Sequence, residues 1–133
     1  MQADITISAL DAERLDALLD SLPASPAGAA LQAEIARATL LEPAEMPPRV
    51  VTMNSRVRFR LKGKEEALHR TLVYPRDSGR DGDTLSVLTP VGSALLGLAE
   101  GATITWLHPD GKDIEVTVLE VSYQPERSGD FHL

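Results

Sequence analysis

Residues 89–106 read TPVGSALLGLAEGATITW, and this stretch decides what kind of domain the chain forms. The Thr-Pro step opens a short apolar helix predicted over 90–98, and the glycines at 97 and 101 end it before a strand begins. Within the predicted helix, the one hydroxyl residue is Ser93, and Gly92-Ser93 lacks the G-x-S-x-G spacing of a nucleophile elbow. We therefore interpret residues 89–97, called here the docking segment, as a binding element without chemistry of its own.

Alternating side chains predict a sheet around this helix. In SRVRFRLK (55–62), apolar residues at 57, 59 and 61 face one way, and a row of basic residues faces the other. This basic row consists of Arg56, Arg58, Arg60 and Lys62. Further strands are predicted at 50–54, 69–74, 84–88, 102–107 and 114–123, with turn signals at 77–83, 99–101 and 108–113. The fold class is thus α+β, a small antiparallel sheet with one short helix.

The N-terminal third has helical periodicity. Ser8 is a good N-cap with Asp11 at the capping-box position, and leucines then recur at 15, 18, 19 and 22. SLPASPAG breaks this pattern before a second periodic run over 31–41. Two helices of about 14 residues form an antiparallel hairpin, a short coiled coil, which either packs on the main body or projects from it. A boundary in the proline-rich 43–48 divides the chain into 1–48 and 49–133.

Composition narrows the class of protein. The chain has 133 residues, a formal net charge of −7 and no cysteine, so disulfides and thiolate metal sites are excluded. Basic residues outnumber acidic ones only in 49–76, by eight to two, which suits a large partner with complementary patches. With no leader-like or membrane-spanning run, a cytoplasmic protein is expected.

No constellation of residues points to catalysis, a metal or a cofactor. His69, His108 and His132 are far apart and lack metal-ligand spacing. Aromatic residues make up 4% of the chain, too few for a nucleic-acid stacking platform. The basic row is the best contact candidate, and the alternative is a solvated face that guards against edge pairing.

Residues 89–125 resemble the C-terminal domain of the Gre transcript cleavage factors. Residues 10–20, 43–60 and 70–75 resemble a shorter branch of that superfamily, known for regulating nucleoside diphosphate kinase. The resemblance implies an FKBP-like C-terminal domain, a helical hairpin, and binding to bacterial RNA polymerase near its secondary channel. Carried over by position, the polymerase-binding residues are Thr89, Pro90, Ala94, Leu95, Leu96 and Gly97. Leu88 departs from the polar residue of the family pattern.

The hairpin tip separates this chain from the cleavage factors, whose paired tip acids help to hold a catalytic magnesium ion. Here the tip offers Asp20, Ser21, Pro23, Ser25 and Pro26, which include one carboxylate. The resemblance therefore implies a noncatalytic regulator that competes at the channel entrance, a monomer that neither contacts membranes nor reads specific DNA sequences.

Two alternatives stay open at this point. The chain could regulate nucleoside diphosphate kinase, by direct contact or through gene expression. It could also be a peptidyl-prolyl isomerase, as FKBP relatives are, which requires Phe59, Tyr74, Trp106 and Tyr123 to converge on one pocket.

Overall fold

A computed structural model of the chain describes residues 5–77, 83–107 and 113–128. The turns expected within 77–83 and 108–113 lie largely outside these residues, as do His108 and His132. In chain order the elements are β1 (Thr6–Ser8), α1 (Ala9–Ser21), α2 (Pro26–Arg37), β2 (Thr39–Leu41), β3 (Arg56–Leu61), β4 (Leu68–Val73), β5 (Thr84–Ser86), α3 (Pro90–Leu95), β6 (Thr103–Leu107), β7 (Asp113–Tyr123) and α4 (Pro125–Ser128). Single 3-10 turns occupy Pro43–Glu45 and Pro75–Asp77.

The main sheet has five strands in the order β5-β4-β3-β7-β6. The pairs β3–β4, β3–β7 and β6–β7 are antiparallel, whereas β4–β5 is parallel. The predicted α+β architecture with a mostly antiparallel sheet is therefore confirmed, and five of the six predicted strands recur with small shifts at their ends. The predicted alternation of β3 also holds, because Val57 and Phe59 are buried while Arg58 and Arg60 are exposed.

The strand expected at 50–54 is wrong. These residues form only an isolated bridge between Val50 and Ala99, and the chain then turns at Met53 and Asn54. Asn54 has a φ of 66°, a left-handed conformation that a strand does not contain. The turn is closed by the Ser55 N–H, which donates to the Thr52 carbonyl at 3.0 Å, and by the Ser55 hydroxyl, which accepts from the Thr52 N–H at 2.9 Å.

The N-terminal helices begin at side-chain caps. Ser8 Oγ accepts a hydrogen bond from the Asp11 N–H at 3.0 Å, and Ser25 Oγ accepts one from the Gly28 N–H at 3.0 Å. The predicted N-cap at Ser8 is thus confirmed. The two helices pack against each other, and the short strands that flank them, β1 and β2, pair in parallel, a pairing that the sequence pattern did not indicate.

One hydrophobic core runs through the helices and the sheet. Leu15 and Leu31 of the hairpin belong to the same buried cluster as Phe59 of β3 and Leu95 of α3, and each is at most 1% exposed. Asp11 adds a polar link, since its Oδ2 accepts a hydrogen bond from the Met53 N–H at 3.1 Å. The base of the hairpin is therefore packed on the body of the molecule.

The proline-rich connection between hairpin and sheet is held by Gln124, just before α4, and by Arg127 of α4. Gln124 is fully buried, and its Nε2 donates to the carbonyls of Pro47 and Val50 at 2.7 and 2.8 Å. Its Oε1 accepts from the Arg127 N–H at 3.0 Å, and the Arg127 guanidinium donates to the carbonyls of Pro48 and Val121. These bonds give hydrogen-bond partners to backbone carbonyls of the connection, of Val50 and of β7.

Candidate docking surface

The start of the docking segment is fixed by a hydrogen-bonded turn. The Thr89 hydroxyl accepts a bond from the Gly92 N–H at 3.1 Å and donates one to the Ser86 carbonyl at 2.6 Å. Pro90 follows at the first helical position, and the buried Ser93 hydroxyl donates to the Val87 carbonyl at 2.6 Å. The hydroxyls of this segment therefore serve local structure.

Gly92 allows α3 to approach β5 closely. A Cβ at this position would overlap the Ser86 carbonyl oxygen, so no other residue fits without moving the backbone. Because α3 is short and apolar on every side, it can be stable only when it is buried.

The structure separates the predicted polymerase-binding residues into two groups. Ala94, Leu95 and Leu96 are at most 2% exposed and Gly97 is buried, so these residues support the segment from beneath. Thr89 and Pro90 are partly exposed. Two further residues, Leu88 and Val91, are also partly exposed beside them, and the sequence reasoning did not count either as a contact. The surface that a partner can reach is thus residues 88–91.

The hairpin tip lines a groove of about 580 Å³ that reaches Leu88, the residue directly before the docking segment. Its walls come from the end of α1, the turn that follows and the first turns of α2, and Leu88 closes it on the side of the docking segment. The lining includes Asp20, Pro23 and Ser25 of the predicted tip, together with Leu22, which is 40% exposed. We call this the hairpin-tip groove. The fold thereby places the predicted tip residues beside Leu88, although none of the predicted polymerase-binding residues lines the groove.

The tip itself has little capacity to hold a cation. Asp20 is its one carboxylate, and the hydroxyls of Ser21 and Ser25 bond the Leu18 carbonyl and the Gly28 N–H respectively. Pro26 occupies the first turn of α2. Within the described residues there is no group of three or more histidine or acidic side chains that could bind a metal ion.

Gly97 joins the docking segment to the N-terminal strand. Its carbonyl accepts from the Thr6 N–H at 3.1 Å, and its N–H donates to the Val51 carbonyl at 2.9 Å. Gly97 has a φ of +85°, and a Cβ there would lie 2.8 Å from the Cβ of Ile5. Gly97 therefore bonds both β1 and the residues that follow the proline-rich connection.

The basic row faces solvent and is partly balanced by acids from neighbouring strands. Arg58 lies 3.8 Å from Glu120 and Lys62 lies 3.8 Å from Glu115, both on β7, while Arg56 lies 3.6 Å from Asp83. Arg60 is opposite Thr117 and forms no ion pair within the described parts of the chain. None of these acids lies between the basic residues in the sequence. The pairing of β3 with β7 brings Glu115 and Glu120 beside the row, and Asp83 directly precedes β5.

Of the aromatic residues weighed for an isomerase pocket, Phe59, Tyr74 and Tyr123 do not line one cavity. Phe59 is 1% exposed on the inner face of the sheet, whereas Tyr123 pairs with Arg56 on the outer face. Tyr74 lines a separate cleft beside α1 that includes neither of them, and the side chain of Trp106 lies outside the described set. His69, in β4, bonds Ser122 Oγ through Nε2 at 2.9 Å.

Two family models match separate parts of the chain. A family model for the C-terminal region of the transcription elongation factors GreA/GreB matches residues 46–123, and a model for the Rnk N-terminus matches residues 4–41. Within the described helices, none is long and apolar enough to cross a bilayer.

Individual relatives agree with the family models. A "Regulator of nucleoside diphosphate kinase" from Escherichia coli (strain K12) is 49% identical over 131 residues, 97% of this chain and 96% of that protein. A transcription elongation factor GreA from a Nitratiruptor species is 34% identical over 91 residues, 68% of this chain but 55% of that protein.

A solved structure supports the fold. The prokaryotic transcription elongation factor GreA/GreB from Nitrosomonas europaea superposes with a TM-score of 0.72 at 51% identity, covering 92% of this chain and 100% of that one. The chain therefore belongs to the GreA/GreB C-terminal family of transcription elongation factors and carries an Rnk-type N-terminus.

Proposed function

We propose that the protein binds bacterial RNA polymerase at the rim of the secondary channel and regulates transcription without cleaving RNA. The observation that carries the proposal is the family match over residues 46–123, which contains the whole docking segment. On this proposal the contact surface consists of residues 88–91 and the adjoining hairpin-tip groove. The buried residues of the segment hold this surface in shape.

The absence of cleavage activity is part of the same proposal. A hard cation such as Mg²⁺ is held by several oxygen ligands, commonly including more than one carboxylate when the protein supplies its charge. The tip has Asp20 alone, and its two serine hydroxyls bond to the backbone. The protein would therefore occupy the channel entrance and exclude cleavage factors without replacing their chemistry.

The docking surface can be tested by adding a charge where an apolar contact is proposed. We expect Val91→Glu to weaken binding to purified core polymerase by about tenfold or more, because burying an unpaired carboxylate at an interface is costly. Ala36→Glu is a matched control, since it introduces the same charge at an exposed position of α2 outside the groove. Pro90→Ala is a milder second variant.

The variants are informative only if they fold, so the thermal midpoint of each is compared with that of the wild type. If Val91→Glu and Ala36→Glu bind core polymerase equally well, the proposed surface is wrong. If the wild type does not bind core polymerase at all, the proposed function is wrong.

A contact between the basic row and polymerase or RNA is a subordinate proposal. Arg60 forms no ion pair in the described structure, so its charge is more available than that of Arg58. We expect Arg60→Gln to weaken binding more than Arg58→Gln and to reduce its salt dependence. Equal effects of the two variants would favour the alternative, a solvated face.

A second candidate is direct binding to nucleoside diphosphate kinase, which the name of the relative at 49% identity supports. It is tested by mixing the two purified proteins and measuring complex formation by native mass spectrometry. A complex without polymerase would favour direct regulation of the kinase over an effect through transcription.

The finer description of the architecture also belongs to this proposal. We retain the division into 1–48 and 49–133, the coiled-coil character of the hairpin and the FKBP-like character of the sheet domain. A monomer in the cytoplasm accords with binding to polymerase. Isomerase activity has no supporting geometry, and a peptide isomerisation assay is expected to detect none.

A further inference from the structure

A second cleft lies between α1 and the turn after β4, with a volume of about 500 Å³. This size falls in the range of small-molecule sites, about 300–1,000 Å³. Its lining differs from that of the hairpin-tip groove and consists of Arg14, Ala17, Leu18, Asn54, Tyr74, Pro75 and Arg76. We call it the Tyr74 cleft.

The buried position of the Tyr74 hydroxyl needs a reason beyond the packing of the fold. Tyr74 is 8% exposed, and its hydroxyl oxygen is buried without a hydrogen-bond partner in the described structure. Burying a hydroxyl in this way opposes folding, and phenylalanine would fill the same space without that cost. Within the described residues, the hydroxyl is therefore a buried polar group whose hydrogen-bonding capacity is not filled by a bond of good geometry.

The charge state of this hydroxyl is set by its surroundings. Burial raises the pKa of Tyr74 far above its ordinary value, and the negative charge of Asp11 raises the pKa further, while Arg14 and Arg76 act in the opposite direction. The hydroxyl is thus protonated at neutral pH and can donate a hydrogen bond to an anion.

Two arginines from different elements line the same cleft. Arg14 belongs to α1, and its guanidinium lies close enough to the Tyr74 hydroxyl to act on the pKa of that group. Arg76 belongs to the turn after β4, and its side chain is 84% exposed with a loose pairing to Asp77 at 3.8 Å. Guanidinium groups match the oxygens of a phosphate, which can accept two parallel hydrogen bonds from each.

The remaining lining suits the organic part of a ligand. Ala17, Leu18 and Pro75 are apolar, and Asn54 contributes a side-chain amide that can both donate and accept. A cleft with apolar walls and a few convergent polar groups is the usual form of a small-molecule site.

We propose that the Tyr74 cleft binds a small organic phosphate, with the phosphate between Arg14 and Arg76, the Tyr74 hydroxyl donating to it, and the organic body against Ala17, Leu18 and Pro75. The site is independent of polymerase binding, since it shares no lining residue with the hairpin-tip groove. Failure of one proposal therefore leaves the other intact.

Three probes separate the parts of the proposed ligand. AMP carries a phosphate and a planar body, adenosine carries the body alone, and inorganic phosphate carries the anion alone. Each is titrated into the full chain while backbone amide chemical shifts are followed by NMR. We expect AMP to shift amides of residues 14–18 and 74–76 and to bind at least about tenfold more tightly than either partial probe.

Variants then assign the contacts. Arg14→Gln and Arg76→Gln are each expected to weaken AMP binding about tenfold or more, because each removes a charge-assisted hydrogen bond. Tyr74→Phe is expected to weaken it by about threefold to tenfold while the thermal midpoint stays equal or rises. Arg49→Gln is the matched control, because it removes the same charge from an exposed side chain that does not line the cleft.

The proposal is overturned if AMP causes no shifts at millimolar concentration, or if the shifts lie elsewhere in the chain. It is also overturned if Arg14→Gln and Arg76→Gln behave like Arg49→Gln. Binding of inorganic phosphate as tight as that of AMP would overturn recognition of an organic body.

Discussion

Substituting Gly97 by alanine tests how much the contact at Gly97 contributes to holding β1 against the docking segment. Gly97 and Gly101 both have a φ of +85°, so alanine at either position adopts the unfavourable left-handed conformation, at a cost of about 1–2 kcal/mol. The two sites differ in space. A Cβ at Gly97 would lie 2.8 Å from the Ile5 Cβ and 3.2 Å from the Thr6 carbonyl oxygen, whereas a Cβ at Gly101 would have nothing within 4 Å.

The difference in unfolding free energy between the two variants therefore measures the cost of disturbing the packing of Ile5 and Thr6 against Gly97. Forcing extra volume into a packed site costs about 1–3 kcal/mol, so Gly97→Ala is expected to lose about 2–5 kcal/mol of unfolding free energy in total. Gly101→Ala is expected to lose only the conformational part. Replacing glycine by alanine reduces the conformational entropy of the unfolded chain equally in both variants, so this contribution cancels in the comparison.

The assay is urea unfolding of both variants and the wild type, followed by amide hydrogen exchange. The Thr6 N–H bonds the Gly97 carbonyl and the Thr39 N–H bonds the Ile5 carbonyl, so these two amides report on the attachment of β1. We expect both to exchange faster in Gly97→Ala than in Gly101→Ala. Equal losses of stability, or unchanged exchange at Thr6 and Thr39, would refute this reasoning.

Three further outcomes are expected. Gln124→Ala should lower the free energy of unfolding by about 2–4 kcal/mol, measured by urea unfolding, because it leaves buried backbone groups of the connection unsatisfied; a loss below about 1 kcal/mol would argue against this attachment of the connection. Tyr74 has a raised pKa, so its contribution to stability is present below its unfolded-state pKa of 10.0 and is lost as the pH rises above that value. The wild type should accordingly lose up to about 1.4 kcal/mol per pH unit there relative to Tyr74→Phe, and parallel pH profiles would contradict the assignment. Arg58→Gln should change stability by less than about 1 kcal/mol in thermal unfolding, because its pair with Glu120 is half-exposed and 3.8 Å long; a larger loss would show that the pair is stronger than its geometry indicates.

Local signals in the sequence predicted much of the fold. Ser8 caps α1 as expected, since a cap depends only on residues within one turn. The alternation around Phe59 identified β3 and its buried face, because the period of a half-buried strand is visible in a single segment. These features need no information from distant residues.

Features that depend on distant residues were missed. β1 and β2 are three residues each and pair across the whole helical hairpin, so neither has a recognisable local pattern. Residues 50–54 looked like a strand because of their apolar content, but they are buried beside a turn whose closure depends on Asn54 and Ser55. Burial by surrounding elements replaced sheet pairing as the reason for their composition.

The candidate site was predicted in part for the same reason. The chemically inert character of the docking segment is explained by its burial, and an apolar helix without a polar face could have indicated this from the sequence. The exposure of Leu88 and Val91, and the groove that Leu88 shares with the hairpin tip, depend on the packing of α2 against α3. The acids facing the basic row come from β7 and Asp83, and only the strand register places them there.

The most direct test of the central claim is titration of this protein into purified bacterial core RNA polymerase carrying a labelled Gre factor, with RNA cleavage followed in the same reaction. The account predicts displacement of the label at micromolar or lower concentration, with no cleavage of backtracked RNA beyond that of polymerase alone. No displacement, or cleavage that depends on this protein, would contradict it.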